Sequence, residues 1–359
     1  MKKICFINGV IAHSGGTERV GIMIANELSK RGYDVTMLSF WDYGKPFFEC
    51  HKNIKIDYLL NPSREGKLYR THIYPILKLH NYIQKNKFDI VIDIDTILSN
   101  YTTFAIKGTK TKHISWEHFN YLHTIKDKKR IKAINLAKKY SDKIVVLTKK
   151  DYNLHFEKAG IAKEKLEQIY NPTPFEGRKE SDRSEKLVIA VGRLTDQKGF
   201  DLLLESWSAI EKTGSEWTLA IIGSGEDDDK LKNIIIDKNL KNVQFIPATN
   251  EIEKWYDKAS VFVLPSRYEG FPMVLLEAMV KGLPIVAFDC FTGPSEMIVD
   301  GKNSFLAEDG NVDQFAEKLN LLLNDEALRE EFSNGNKLKV KEFYLENIVN
   351  QWENMIKTL

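Results

Sequence analysis

The sequence predicts an α/β fold of two domains, each built on a parallel sheet. Three observations carry that expectation. Apolar segments of strand length alternate with amphipathic segments over most of the chain, the pattern of parallel strands joined by crossover helices. Residues 171–186 break the alternation with two prolines, a glycine and mixed charges, and read as a linker. The 359 residues suffice for two domains at roughly 100–200 residues each.

The elements follow in order. Lys3–Asn8 reads as a buried strand. A helix is expected over 18–31, with Val20, Ile24 and Leu28 four residues apart and Gly32 as its stop. Next come a strand at 34–40 and a long helix over 68–87, rich in lysine and aromatics and kinked by Pro75. Strands at 88–94 and Lys112–Trp116, a basic segment at 126–140 and a short strand at 143–148 complete an N-terminal domain, 1–172. After the linker the alternation restarts: strand Leu187–Val191, helix 200–212, strand 217–222, helix 230–238, then short strands Val243–Ile246, Val261–Leu264 and 284–288. These form a C-terminal domain, 173–343. The last segment, 344–359, carries Ile348, Trp352, Met355 and Leu359 on one helical stripe. It reads equally as a helix packing back on the first domain or as a terminal cap.

Hydrophobic residues make up 43% and charged residues 28%, which excludes disorder, a collagen-like repeat and a disulfide scaffold. The net charge of +2 conceals a split: residues 1–172 carry +13 and residues 173–359 carry −11. A basic half points to a membrane surface, a nucleic acid or another anionic partner. Cys5, Cys50 and Cys290 form no CxxC pair, which argues against a zinc ribbon or thioredoxin-like site and fits a reducing cytoplasm. The basic, apolar start resembles a signal peptide, but Asn8 and His13 interrupt it. No stretch approaches the ~18 apolar residues of a bilayer span, so membrane contact is expected to be peripheral.

Several segments carry chemistry. Gly15 and Gly16, in HSGGTERV, sit between the first strand and the first helix, where glycine admits close backbone approach and a helix start favours an anion. The pattern is neither GxGxxG nor a Walker loop, and a Gly-Gly turn is as often purely structural. AVGRLTDQKGF places Arg193 and Lys198 on the loop after a strand. Arginine binds phosphate bidentately and lysine as a point charge, so the pair suits a diphosphate; solvated loop charges are the equal alternative. The strongest pattern is VFVLPSRYEGFPMVLLEAMV. Its helix start, around Gly270, Phe271, Pro272 and Met273, presents free amides to a phosphate. Glu269 precedes that start, and Glu277 lies about 7.5 Å beyond it along the axis. The two carboxylates suit hydroxyls on either side of a sugar-diphosphate-ribose chain. Alternatively, Glu269 caps the helix and Glu277 faces solvent, although Leu276 and Ala278 flank it in an apolar helix.

Together these segments, with GPSEMIVDGKNSFL, resemble family 4 retaining glycosyltransferases of the bacterial surface-polysaccharide type. The resemblance covers nearly the whole chain and is more specific in the second half. It implies a GT-B architecture of two Rossmann-like domains with a cleft between them, the first binding the acceptor and the second the nucleotide-sugar. It implies that Glu277 bonds the ribose, Glu269 bonds donor-sugar hydroxyls, Arg193 and Lys198 neutralise the diphosphate, and Gly16 closes over the phosphate. It also implies that His118, in WEHFN, faces the donor sugar near the reacting carbon; on its residues alone, a lone histidine is more often structural. Phe291, Thr292 and Gly293 fall where family members shape the sugar pocket, and Glu296 reads as a helix cap. Gly225, Glu226, Ile246 and Pro247 are expected near the base, although the acidic run 226–229 alone reads as a solvated helix start.

Asp93 and Asp95 form a DxD, which binds a divalent metal in the other major transferase fold. Here it ends a first-domain strand. Asp95 is read as a strand-end acceptor on the acceptor side with Glu117 and Asn120, and no metal or other cofactor is expected. Lysines from Lys126 to Lys139, with Ile131, Ile134 and Leu136 among them, suggest a basic amphipathic helix lying on anionic lipid, joined by Tyr69, Tyr74 and Tyr82. The alternative is a solvated helix with its apolar face in the core. No nucleic-acid motif accompanies the basic residues, and no nucleic acid is expected.

The expected activity is transfer of a hexose or N-acetylhexosamine from a nucleotide diphosphate sugar, above all a UDP-sugar, to a lipid-linked or polysaccharide acceptor. The expected location is the cytoplasm, peripherally on the inner face of the cell membrane. Two other classes compete. An epimerase or hydrolase on the same fold needs an acid–base cluster not seen beyond His118 and Asp95. A non-catalytic nucleotide-sugar sensor has no use for two leaving-group cations.

Overall fold

The computed structural model describes residues 1–62, 73–177 and 179–359. The chain divides into two compact units: Met1–Pro172 with Leu345–Leu359, and Thr173–Tyr344. The first carries +12 and the second −10.

The first unit holds seven parallel strands: β1 (Lys3–Asn8), β2 (Asp34–Trp41), β3 (Lys55–Leu60), β4 (Ile90–Ile94), β5 (Lys112–Trp116), β6 (Lys143–Val146) and β7 (Leu166–Gln168), in the order β3-β2-β1-β4-β5-β6-β7. The second holds β8 (Leu187–Val191), β9 (Thr218–Ile222), β10 (Val243–Ile246), β11 (Val261–Leu264), β12 (Ile285–Phe288) and β13 (Phe305–Ala307), in the order β10-β9-β8-β11-β12-β13. Strand order reverses between β1 and β4 and between β8 and β11. At such points the loops leaving the strands' carboxyl ends diverge and open a crevice for ligand. The strands β4, β11 and β12 are buried at every residue, as their Ile/Val-rich runs require in a sheet covered on both faces.

Helices complete each layer. Gly16–Lys30 buries Val20, Ile24 and Leu28, the spacing read from sequence. The final helix, Leu345–Lys357, buries Ile348, Trp352, Met355 and Ile356 in the first unit. Trp352 meets Trp116 edge-on at 4.6 Å, and Glu353 accepts hydrogen bonds from Arg31 and Tyr33, each at 3.2 Å. The second unit's core gathers Phe200, Trp207, Phe288, Phe315 and Phe332. The amine of the fully buried Lys281 is satisfied by Glu253, Asp257 and the Lys179 carbonyl.

Several elements depart from the sequence expectation. β3, β7 and β13, and the helices Ser99–Ala105, Lys149–Glu157, Ile252–Lys258, Val312–Asn324 and Glu326–Lys339, are additional. Ser99–Ala105 lacks an apolar signature because Ser99 and Thr102 face the buried carboxylate of Asp93. The helix expected over 68–87 is described as Ile73–Asn86; 68–72, with Tyr69, lie outside the described residues. Pro75 is its third described residue, and the helix continues without a break to Asn86. The basic segment forms a helix, Lys128–Tyr140, whose buried side is Ala133, Ile134 and Ala137. Ile134 and Ala137 pack with Ile144 and Val146 of β6, so that stripe faces core, not lipid.

Candidate active site

In the second unit, the loops leaving β8, β9 and β11 lie backbone against backbone. A Cβ at Gly225 would stand 2.2 Å from the Leu194 carbonyl oxygen. One at Gly199, which has φ +63°, would stand 2.0 Å from the Pro265 carbonyl oxygen. Neither position admits a side chain without moving backbone. Arg267 locks the β8 and β11 loops together: its guanidinium donates to both oxygens of Asp201 at 2.8 Å and to the Asp196 carbonyl. Gln197 donates from its side chain to the Tyr268 carbonyl at 3.1 Å.

This clasp brings Lys198 Nζ to 2.6 Å from Glu269 Oε1, two groups 71 residues apart in sequence. Arg193 stands on the same β8 loop. It is exposed, and its guanidinium has no hydrogen-bond or ion-pair partner among the described residues. The helix Met273–Val280 starts at Pro272, whose side chain makes no cap hydrogen bond, and the Leu275 amide donates to the Pro272 carbonyl at 3.1 Å. Glu269, three residues before that cap position, pairs with Lys198. Pro272 occupies the cap position itself, one residue before the first turn. Phe271 is buried against Phe343 at 5.8 Å, while Gly270 and Met273 are half-buried beside it. The Thr292 hydroxyl donates to the Glu269 carbonyl and fixes the approach to the helix.

Glu277 does not face solvent. It is 6% exposed, and the Tyr256 hydroxyl donates to its Oε2 at 2.9 Å. Tyr256 is wholly buried on the helix Ile252–Lys258 and stacks on Phe262 of β11 at 5.8 Å. Gly225 and Glu226 are exposed past β9, and Ile246 ends β10 with Pro247 directly after it. The Gly223 amide donates to the Ile246 carbonyl at 2.9 Å, and the Ala248 amide to Ser224 Oγ at 3.1 Å. The four residues thus share one rim.

In the first unit, Gly15 caps the helix Gly16–Lys30, and a Cβ on it would lie 2.4 Å from Glu18 Oε2. The chain's own carboxylate thus folds over this helix start, and burial raises its pKa. Past β5, Glu117 is buried. Its Oε1 accepts from the Phe119 amide at 2.9 Å, and its Oε2 has no hydrogen-bond partner among the described residues. His118 rests on Trp116 at 4.5 Å, its Nε2 buried and without a hydrogen-bond partner among the described residues. Burial, and then the Arg130 charge, push its pKa down to about 3, so the imidazole is neutral.

Arg130 binds Asp95 bidentately at 2.9 Å, lies 3.6 Å from Glu117 and covers the Phe119 ring at 3.8 Å. Burial and the Asp95 charge hold the Glu117 carboxyl above the usual carboxylate range. Asp95, at φ +93°, is strained at the carboxyl end of β4, beside the strand reversal. Asp95, Glu117 and His118 thus share Arg130 as a neighbour. Asn120 instead caps the helix Tyr121–Thr124, accepting from the His123 amide at 2.8 Å.

Both carboxylates of the DxD have protein partners, Asp95 in Arg130 and Asp93 in Ser99 and Thr102. Asp93 is wholly buried, accepts from Ser99 at 2.9 Å and Thr102 at 2.7 Å, and lies 2.8 Å from His113 Nε2. Among the described residues no group of three or more His, Cys, Asp or Glu is placed to hold a metal ion.

Residues 14–176 match the family described as Glycosyltransferase Family 4, and residues 174–339 that described as Glycosyl transferases group 1. An uncharacterized glycosyltransferase of Haemophilus influenzae is 35% identical over 99% of this chain and all of its own. The chain belongs to the family 4 glycosyltransferases. This glycosyltransferase is also 28% identical, over 99% of its length and 98% of the relative's, to an alpha-1,4-N-acetyl-D-galactosaminyltransferase of Campylobacter jejuni whose name specifies a PP-undecaprenol-linked GalNAc substrate. The apo structure of the lipopolysaccharide outer core galactosyltransferase WaaB matches with a TM-score of 0.79 and 25% identity, over 99% of both chains. The two parallel-sheet units are those of the GT-B fold.

Sequence reading missed three of this glycosyltransferase's site contacts. Tyr256 lies on a helix with no periodic signal, whereas Arg267 stands inside the PSRYEG segment and was legible as a cation beside Glu269. Arg130 was read only as one of a basic run, yet it is the group around which Asp95 and Glu117 gather.

Proposed function

We propose that this glycosyltransferase moves a hexose or N-acetylhexosamine, with retention of anomeric configuration, from a UDP-sugar to a lipid-linked or polysaccharide acceptor in bacterial surface-glycan synthesis. The observation that carries the reading is the Lys198–Glu269 pair beside the uncapped start of helix Met273–Val280, with Arg193 unpartnered on the same loop. A diphosphate bound there meets the helix amides, the Arg193 guanidinium and the remaining donors of Lys198, which gives one of its three N–H groups to Glu269. As the bond from the anomeric carbon to the diphosphate breaks, these groups stabilise the charge developing on the leaving oxygen. Glu269 accepts from the donor sugar's hydroxyls, and Glu277, held by Tyr256, from the ribose. The acceptor hydroxyl attacks the face from which the diphosphate departs and passes its proton to the departing diphosphate oxygen, which retains the configuration.

The first unit is the acceptor-binding one in this reading. Its neutral His118 and its Glu117 offer hydrogen-bonding groups to sugar hydroxyls. The +12 charge of that unit and the lipid-linked substrate of the Campylobacter relative support a peripheral position on an anionic membrane face. No described helix is long and apolar enough to cross a membrane.

A thermal-shift screen over UDP-, GDP- and ADP-sugars tests the donor. UDP-sugars are expected to raise the melting temperature, and to do so equally in excess chelator, because side-chain cations and amides supply the neutralisation. A shift with GDP- or ADP-sugars alone would change the nucleotide; dependence on added divalent metal would remove the metal-free mechanism.

A further inference from the structure

The short helix Tyr121–Thr124 and the helix Lys128–Tyr140 are joined by a tight turn at 125–127. Four large apolar side chains are exposed within this stretch and just before it: Phe119 (37%), Leu122 (38%), Ile125 (43%) and Ile131 (37%). The helical turn continues past Thr124, with the Lys126 amide donating to the His123 carbonyl and the Asp127 amide to Thr124. Leu122 and Ile125, three residues apart, therefore share a face. Arg130 over the Phe119 ring ties the start of the stretch to the second helix.

Exposed Lys126, Lys128, Lys129 and Lys132 lie among them, and none has an ion-pair partner among the described residues. The one acid within residues 119–132, Asp127, caps the helix by accepting from the Lys129 amide at 2.7 Å, and the neighbouring Asp95 and Glu117 are engaged by Arg130. Single exposed apolar residues are ordinary. Four of them interleaved with four uncompensated lysines are the composition of a surface that lies in a bilayer interface, aliphatic groups at the acyl boundary and ammonium groups at the headgroups.

The geometry points to the edge formed by residues 119–132 as the membrane-docking surface of this enzyme, seated on an anionic bilayer. The inference rests on the proposed lipid-linked acceptor and names where the membrane meets the chain: directly after Glu117 and His118 in sequence. Leu and Ile contribute nothing to phosphate-backbone binding, which separates this edge from a nucleic-acid surface.

Co-sedimentation of the full chain with vesicles of phosphatidylcholine alone, or with added phosphatidylglycerol, tests it. Wild type is expected to bind the anionic vesicles preferentially. L122S/I125S is expected to lose about tenfold in affinity, and K126Q/K128Q/K129Q about 100-fold. K78Q/K85Q/K87Q, which removes equal charge from the helix Ile73–Asn86 and the residue after it, is expected to bind as wild type does. All variants should keep the wild-type melting temperature. If wild type does not distinguish the two vesicles, the membrane reading itself falls. If it does, but L122S/I125S binds normally or the K78Q/K85Q/K87Q chain loses as much as K126Q/K128Q/K129Q, the docking edge is wrong. A solution dimer abolished by L122S/I125S would make the edge a contact between two copies instead.

Discussion

Tyr256 is wholly buried, and its hydroxyl fixes one oxygen of Glu277. A carboxylate so held reaches a ribose hydroxyl without first losing rotamer freedom, and a hydrogen bond to a charged group contributes about 1.5–3 kcal/mol. Tyr256→Phe keeps the ring stacked on Phe262 and removes only the donor. The expected result is a roughly tenfold higher KM for the donor with kcat little changed, and no such loss with a donor lacking the ribose hydroxyls; an equal loss with both donors would assign Tyr256 to packing alone. His118 gives a pH signature. Its unfolded imidazole takes a proton near ~6.5, whereas the folded one does so at about 3. The native state binds fewer protons between those values, so the contribution of His118 to stability is present above ~6.5 and is lost as pH falls toward about 3. Stability measured across that window in His118→Asn should show a shallower acid decline than wild type; identical slopes would contradict the burial argument.

The strands of the second unit that form the site, and the helix Met273–Val280, were legible because their signals are local, whereas the helix that carries Tyr256 was not. Runs such as VFVLP and LVIAV bury both faces of a parallel strand, and Pro272 marks a helix start. The pairing of Lys198 with Glu269 was not legible, because it depends on two loops meeting across the reversal between β8 and β11. Asn120 reads as a polar site residue in WEHFN, yet its carbonyl oxygen caps the next helix; only the backbone path decides between the two. The amphipathic reading of 126–140 is corrected at one residue for a related reason. Its Ile134 lies on the core side while Ile131 is exposed, and the other exposed apolar groups sit in the preceding turn, which has no period to detect. The loop contact at Gly199 carries an element-scale prediction. Gly199→Ala places a methyl group against the Pro265 carbonyl in a left-handed conformation. It is expected to separate the β8 and β11 loops, lowering the melting temperature and weakening UDP-sugar binding together. Unchanged donor affinity would show that the clasp does not position Lys198.

Across the whole molecule, the near-neutral charge is the sum of a basic unit and an acidic one, divided where the chain divides. The −10 unit is the one proposed to hold a doubly charged diphosphate, so its field opposes the ligand. Affinity must come from placed groups at close range: Arg193, Lys198 and the first amides of Met273–Val280. Of the two cations, Lys198 is paired with Glu269 and Arg193 has no partner among the described side chains, so removing Arg193 tests chemistry without disturbing the fold. The decisive measurement is sugar transfer by Arg193→Ala from the UDP-sugar that gives the largest thermal shift, with the melting temperature read alongside. The account predicts a fall in kcat/KM of about 100- to 1,000-fold at an unchanged melting temperature. Near-native transfer by that variant would contradict the placement of the leaving diphosphate at this site.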